Sequence, residues 1–492
     1  MGLTWRATGS ALLSALGALL FGLDIGYIGP ILECASFKRD VAGITSPSEA
    51  LPDTTVGFIV GIFSLGCVLT SVPCVSGYFM DVWGRRDSVI IGSAVFVVGC
   101  LVQGFAASVS TILVGRLVAG MSIGLLSAVV ALYQSEVSPP SMRGALTSLY
   151  QLMITLGIVV ACVADHYLVE LEGGWRWAIF MQLIPSGALL VAMPFLPRSP
   201  RWLAQQGRQT EALRALESLR ESQSEARDEL TEIQAACSEA GEAGEVEFAE
   251  LFAGMTGRLV AIGVVLQMMQ QLVGMNAFMY FGPRIFGSLG LDQNRFQVMT
   301  SLVNFGATFP AIFLADGFGR RSLLLVGACA MAVACLAMGL AGFGAAGAEL
   351  GDAAAVICVP MVFLFVASFA ATWGPIVWVY CAEIFPQRNR SRCMGVATTA
   401  NWVGNYFIAQ ATPVMLGRLG LGTFYVFGVF CMISIAFAVW LPETKGVPLE
   451  QMPAVFEARF GYRKGLCGGG VGEEGRPLLY GAASDAARQK AV

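Results

Sequence analysis

Four amides, Gln267, Gln270, Gln271 and Asn276, stand inside an apolar run that begins near Leu259 and continues past Phe281. A run of that length crosses a bilayer. Lipid offers these groups no water, and an unpaired amide there costs on the order of several kcal/mol. They must therefore face other helices, an aqueous cavity or a ligand. Each amide carries a donor and an acceptor, as a sugar hydroxyl does, so the set suits a neutral polyol. The same amides could serve only to hold helices together, and the run by itself leaves both readings open. Asp24 and Arg116 bring charge into two further apolar runs, where each alone would be costly. Facing one another, the carboxylate is stabilised; parted, a buried carboxyl prefers its proton. That pair could be a proton switch tied to helix movement. The alternatives are a permanent salt bridge or an aspartate close enough to the surface to stay hydrated.

The elements that must position these residues are membrane helices. Of 492 residues, 56% are hydrophobic and only 13% charged, about half the charged fraction of a soluble domain. The 58 glycines fit closely packed membrane helices. Apolar runs of roughly twenty residues recur about twelve times. The first six begin near Ala7, Thr54, Ser88, Thr111, Ala145 and Trp175, and the second six near Leu259, Val298, Ser322, Ala354, Met394 and Thr423. The first contains Asp24 and no small-residue cleavage pattern follows it, so it reads as a span and not a removable signal. On an ideal helix Gln270, Gln271 and Asn276 do not share a face; Gly274 between them could loosen the helix, a recurring device at transporter midplanes.

Charge in the short loops sets orientation. Arg85, Arg86, Arg143, Arg320, Arg321, Arg388, Arg390 and Arg392 fall on one side. Asp165, Glu170, Glu172, Glu349 and Asp352 fall on the other, with Lys38, Arg39 and Arg284 as exceptions. The basic side is expected to be cytoplasmic, with both termini on it. The expected divisions are a six-helix lobe at 1–196, a helical cytoplasmic linker at 197–257, a second six-helix lobe at 258–441, and a largely disordered tail at 442–492. Within the linker, Thr210–Ala236 is rich in Glu, Arg, Leu and Ala at helical spacing, and Gly241–Glu245 reads as a loop.

The net charge of −4 gives no sign of nucleic acid as a partner. The 13 cysteines are scattered, without a Cys-x-x-Cys pair, and read as buried thiols. His166 is the one histidine, so no metal centre is expected, nor any cofactor. No nucleophile–base set or phosphate loop stands out, so an enzyme is not expected.

The two halves echo each other. Asp81-Val-Trp-Gly-Arg85-Arg86 recurs as Asp316-Gly-Phe-Gly-Arg320-Arg321, and Glu136…Arg143 recurs as Glu383…Arg390, in matching order. Two independent patterns in sequence argue for a duplication of six spans. Acids and arginines at those helix ends are expected to form a charge network across the cytoplasmic seam that yields when the lobes rock.

With these residues in view, the chain resembles the sugar porters of the major facilitator superfamily. The likeness rests on Asp81–Arg86, Gly115-Arg116, Glu136–Arg143, Trp175-Arg-Trp177, Pro197-Arg-Ser-Pro-Arg201, Gln270-Gln-Leu-Val-Gly-Met-Asn276, Asp316–Arg321 and Pro442-Glu-Thr-Lys-Gly446. It spans nearly the whole chain except the tail and part of the central loop. It implies an all-α membrane protein with 12 helices in two pseudo-symmetric six-helix lobes and short cytoplasmic helices between them. By the same resemblance, sugar is contacted by Gln151, Gln270, Gln271, Asn276, Asn304, Trp378 and Asn405, and by Asn401, with Tyr280 an outer-gate aromatic. The cytoplasmic gate comprises Asp81, Arg85, Arg86, Glu136, Arg143, Arg201, Asp316, Arg320, Arg321, Glu383, Arg390 and Glu443. Arg198 departs from the family pattern, which carries Glu there, and implies an altered latch in the first lobe. Proton-coupled members carry Asp at the position of Asp24, whereas mammalian facilitative carriers carry Asn. Plant members clip an outer lid to the eleventh span by a disulfide; Cys34 has no partner cysteine there, and no clip is expected. The expected function is hexose:proton symport by a monomer in a lipid bilayer, the plasma membrane by default. A facilitative uniporter and a non-transporting sugar sensor are the alternatives.

Overall fold

Every apolar run becomes helix, as it must where backbone groups have no water to bond. The structure, a computed structural model, describes residues 5–46, 49–139, 143–242, 248–343, 352–386 and 389–445, with isolated positions after 446. No strand occurs among the described residues. The first span comprises Trp5–Ser14 and Leu16–Glu33, the second Asp53–Ser71 with Pro73–Val82, the third Gly84–Gly104. The fourth is Val109–Val137, the fifth Arg143–Leu168, and the sixth Gly174–Phe180 with Leu183–Ala192. The seventh is broken into Gly254–Leu272 and Met275–Ser288; the eighth is Gln293–Phe318 and the ninth Arg320–Phe343. The tenth is broken into Asp352–Ala371 and Trp373–Ile384, followed by Arg390–Leu419 and Thr423–Trp440 as eleventh and twelfth. Ten described segments are long and apolar enough to cross a membrane. One of them, Arg390–Trp440, holds two helices, and Gln293–Phe318 supplies another span of 26 residues. Several helices start about a turn before their apolar run, because polar first turns such as Gly84-Arg85-Arg86 remain helical.

Small residues set the closest packing. A Cβ on Gly22 would lie 2.0 Å from the Ile154 carbonyl oxygen, and one on Gly157 would lie 2.5 Å from that of Leu19. Only glycine lets the first and fifth spans touch backbone to backbone. The halves meet along two seams, second span on eleventh and fifth on eighth. Exchanging the halves maps one seam onto the other, as a duplicated fold requires.

The linker forms Pro200–Gln205, Gln209–Leu219 and Gln223–Glu242. They share a small apolar core of Trp202, Leu203, Ala212, Leu216, Ala226 and Ile233. Arg220 is bidentate to Glu229 at 2.6 and 2.9 Å and donates to the Val137 and Ser138 carbonyls at 3.1 and 3.4 Å, tying the helices to the end of the fourth span. Of the expected loop at Gly241–Glu245, Gly241 and Glu242 instead end the helix and the rest lies outside the described residues, as does almost all of the expected disordered tail.

Candidate functional site

Where the seventh span breaks, its amides find partners. Gly274 holds φ +98°, and a Cβ there would lie 2.6 Å from the Phe427 ring, so the break needs glycine. The break turns Gln271 and Asn276 toward each other: Asn276 Nδ2 donates to Gln271 Oε1 at 2.6 Å. Gln271 Nε2 donates to Asn401 Oδ1 at 2.9 Å, and Asn401 Nδ2 donates to Gln267 Oε1 at 2.6 Å and Gln270 Oε1 at 2.7 Å. Gln270 Nε2 donates to the Trp373 and Gly374 carbonyls, both at 2.9 Å. Gln270 thereby pins the lower half of the tenth span just past its break at Thr372, ahead of Pro375. The two sequence readings of these amides divide by residue. Gln270 spends both amide hydrogens and an acceptor on neighbouring helices, while Asn276 stands half-buried at the edge of the network.

A second polar group joins the halves. Asn405 Oδ1 accepts from Ser64 Oγ of the second span at 2.8 Å and from the Tyr280 hydroxyl at 3.3 Å. Asn304 is buried, with Nδ2 3.9 Å from Met279 Sδ. Gln151 and Trp378 are half-buried, one from each half, and neither side chain forms a hydrogen bond among the described residues. The structure thus gathers Gln270, Gln271, Asn276 and Asn401 into one network and Tyr280 and Asn405 into another, and leaves Gln151 and Trp378 outside both.

Asp24 and Arg116 meet. Arg116 Nη2 lies 3.3 Å from Asp24 Oδ2, and both side chains are buried. Arg116 Nη1 donates to the Tyr27 hydroxyl at 2.6 Å, which donates to Gln103 Oε1 at 2.7 Å. Asp24 Oδ1 and Arg116 Nε are buried with no hydrogen-bond partner. The guanidinium also lies 5.1 Å from the Phe63 ring centroid, within cation–π range. Phe63 and Phe21 both pack on Trp402, with centroids 6.3 and 5.0 Å away. Trp402 sits between Asn401 and Asn405 on the eleventh span, so one indole connects the ion pair of the first half to the amides of the second. Trp402, Ser64, Tyr27 and Gln103 escaped the sequence reading. Tyr27 alone had a signal, its place one turn from Asp24.

The basic end repeats the same pairings in each half. Arg85 is 3.1 Å from Glu136, which also accepts from Ser199 Oγ; Arg320 is 2.8 Å from Glu383, which accepts from Thr444 Oγ1 at 2.6 Å. The Tyr133 hydroxyl donates to the Pro197 carbonyl at 2.8 Å, and that of Tyr380 to the Pro442 carbonyl at 2.9 Å. Arg86 donates to the Pro194 and Leu196 carbonyls, and Arg321 to those of Ala438 and Val439. Pro197-Arg-Ser and Pro442-Glu-Thr are therefore a third repeat. They differ at the middle residue. Glu443 accepts from the Arg320 and Arg321 backbone N–H groups at 2.8 and 3.1 Å, capping the ninth span. Arg198 cannot do this at the third span and instead pairs with Asp87 at 2.7 Å. The pairs Arg85–Glu136 and Arg320–Glu383 each lie within one half, because each motif arginine opens a span that packs in its own bundle. Asp81 is exposed, and its carbonyl accepts from Trp202 Nε1 at 3.0 Å; Arg201 is exposed, and Arg390 Nε lies 3.4 Å from the Phe385 carbonyl. The side chains of Arg143 and Asp316 lie outside the described residues.

At the opposite end the ties do cross. Arg284 of the seventh span is 2.7 Å from Asp53 of the second and 3.3 Å from Glu33 of the first. Lys38 is 3.4 Å from Glu33, and Arg39 pairs with Asp40 and Glu172. Each basic exception to the loop-charge rule thus has an acid beside it. Cys34 is a free thiol.

A broken-helix amide cluster, a buried intramembrane ion pair and a twelve-span duplicated fold define a carrier of the major facilitator type. Residues 10–456 match the family described as Sugar (and other) transporter, and the chain belongs to that family. It is 36% identical over 451 residues to the galactose-proton symporter of Escherichia coli (strain K12), covering 89% of this chain and 92% of that protein. It is 34% identical over 445 residues to the arabinose-proton symporter of the same strain, covering 89% and 91%. Among solved structures it is similar to the proton:xylose symporter XylE bound to 6-bromo-6-deoxy-D-glucose, with TM-score 0.76 and 26% identity over 92% of this chain and 99% of that one.

Proposed function

We propose that this protein carries a hexose-type monosaccharide together with a proton across a membrane by alternating access. The observation that carries the reading is the enclosed Asp24–Arg116 pair, linked through Phe63 and Trp402 to the helix that bears Asn401 and Asn405. Sugar binding between the halves moves the eleventh span, and Trp402 passes that movement to Phe63 beneath Arg116. If Arg116 withdraws, the Asp24 carboxyl takes a proton; when the pair re-forms, the proton leaves to the other side. The names of the bacterial relatives support the same coupling.

In this reading Gln271, Asn276, Asn304 and Asn405 bind sugar hydroxyls, Gln151 contacts the sugar from the first lobe, and Trp378 packs on the ring. Gln270 and Asn401 shape the site by holding the seventh, tenth and eleventh spans together. Tyr280 and Arg284 close the outer side. The basic end and both termini face the cytoplasm, the membrane is the plasma membrane, and the carrier is a monomer in lipid. The lobes are 1–196 and 258–441, the linker 197–257 and the tail 442–492.

The test is uptake of labelled glucose, galactose, fructose and xylose into proteoliposomes, with and without an inward proton gradient. A gradient of one pH unit supplies about 1.4 kcal/mol per proton, so one-for-one coupling concentrates sugar up to about tenfold. Asp24→Asn should abolish that accumulation and keep exchange. Accumulation that persists in the variant ends the proton-switch reading.

A further inference from the structure

Asp165 is the buried acid that the transport reading leaves without a task. It lies in the last turn of the fifth span, at the end opposite the repeated arginines, and is fully buried. Both carboxyl oxygens lack a hydrogen-bond partner. It stands one turn from Cys162, on the same face. Cys162 lies beside Ser301 and Gln297 of the eighth span, and its sulfur is 3.8 Å from the Gly26 carbonyl of the first. Asp165 therefore sits one turn from the junction where the fifth span packs on both the first and the eighth.

No cation among the described residues answers it. Lys38 is paired with Glu33, and Arg39 with Asp40 and Glu172. Arg176 is held by Asp40 and by the Gly104 and Ala106 carbonyls. His166, the next residue, packs on Tyr167, with its Nδ1 buried and unpartnered. The polar groups beside Cys162 at that junction are the Ser301 hydroxyl and the Gln297 amide, neither of them charged. The amide oxygen, Gln297 Oε1, is also buried without a partner, while Gln297 Nε2 is taken by the Met279 carbonyl at 3.0 Å. An unpaired anion would be expelled from such a place, whereas a neutral carboxyl is tolerated there at far lower cost.

We propose that Asp165 is a second proton-binding site, distinct from Asp24, loaded from the outer water as the outer side closes. When that junction parts the carboxyl is hydrated and ionises; when it closes the carboxyl must take a proton. That proton returns to the outer water at the next opening, so it sets the pH dependence of closure and leaves the transport stoichiometry alone. The proposal rests on alternating access, but not on Asp24 being the coupling site.

The test uses full-length protein in proteoliposomes, reading sugar exchange in Asp24→Asn as the outer pH is raised. Exchange should slow, approaching about tenfold per pH unit at the steepest. Asp24→Asn/Asp165→Asn should show a flat profile, and Asp24→Asn/Asp165→Glu should regain the slope. Infrared difference spectra of Asp24→Asn should show a protonated-carboxyl band that is lost with Asp165→Asn. Equal pH profiles with and without Asp165, or a band unchanged by its removal, overturns the proposal. If the wild type proves to move sugar without protons, the Asp24→Asn profile still reports on Asp165 by itself.

Discussion

Arg284→Ala removes the two ion pairs that tie the seventh span to the first and second. Arg284 is 21% exposed, and its partners Glu33 and Asp53 are 23% and 38% exposed. Solvent screens pairs of that kind, so each is worth about 0.2–1 kcal/mol rather than a buried-pair value. Losing both weakens the outer-closed state by about 0.5–2 kcal/mol, which shifts the equilibrium about two- to thirtyfold toward outer-open. Glu33 keeps Lys38 as a partner, and Asp53 is exposed enough for water to solvate it, so the variant does not bury an unpaired acid. The assay is electron–electron double resonance between spin labels at Ala50→Cys and Leu419→Cys, both exposed at this end and on different halves, in a cysteine-depleted chain. The longer-distance population should grow in Arg284→Ala and shrink again in the swap Arg284→Asp/Asp53→Arg. A folded Arg284→Ala variant whose distance distribution matches the parent would refute the latch.

Other variants probe the site and its supports. Gly274→Ala forces a side chain into a left-handed conformation and against Phe427, and should cost about 1–3 kcal/mol; thermal unfolding in detergent reads it, with partial rescue by Phe427→Leu. Gln270→Leu strips three hydrogen bonds from the junction of the seventh, tenth and eleventh spans, and should lower thermal stability by about 1–3 kcal/mol. Gln271→Leu should chiefly raise the KM for sugar, so kinetics beside melting separate the two roles. Arg220→Ala strands Glu229 and frees the linker from the fourth span. With the guanidinium 1% exposed, breaking the pair should cost about 3 kcal/mol and appear as faster proteolysis within 200–242.

Much of the fold was legible because lipid allows few solutions. Twenty apolar residues in a row have to be helix, and twelve such runs with two repeated motifs name the architecture. The Asp24–Arg116 pairing was legible for the same reason, since neither charge tolerates hydrocarbon alone. Partners drawn from ordinary residue types were not. Ser64 and Trp402 look like any serine or tryptophan of a packed span, and only the crossing of helices reveals what they touch. The division of labour between Gln270 and Gln271 was also hidden, because it depends on how the chain turns at Gly274. The repeat Pro197-Arg-Ser and Pro442-Glu-Thr was visible in letters, yet one changed side chain masked it until the mirrored tyrosine and hydroxyl bonds exposed it. Asp165 read as a loop acid by its position, and burial moved it beside the junction of three spans.

Glu443 fastens the entry of the ninth helix to the stretch that leaves the twelfth. A chain cut after Lys445 keeps that fastening, and one cut after Leu441 loses the cap together with the Thr444 and Pro442 bonds. Whatever grips the terminal segment therefore has a handle on the second lobe, whereas the first lobe is held from the linker through Ser199 and Arg198. The two repeated bundles are thus held from different parts of the chain, one from the segment between the halves and one from the segment after the twelfth span.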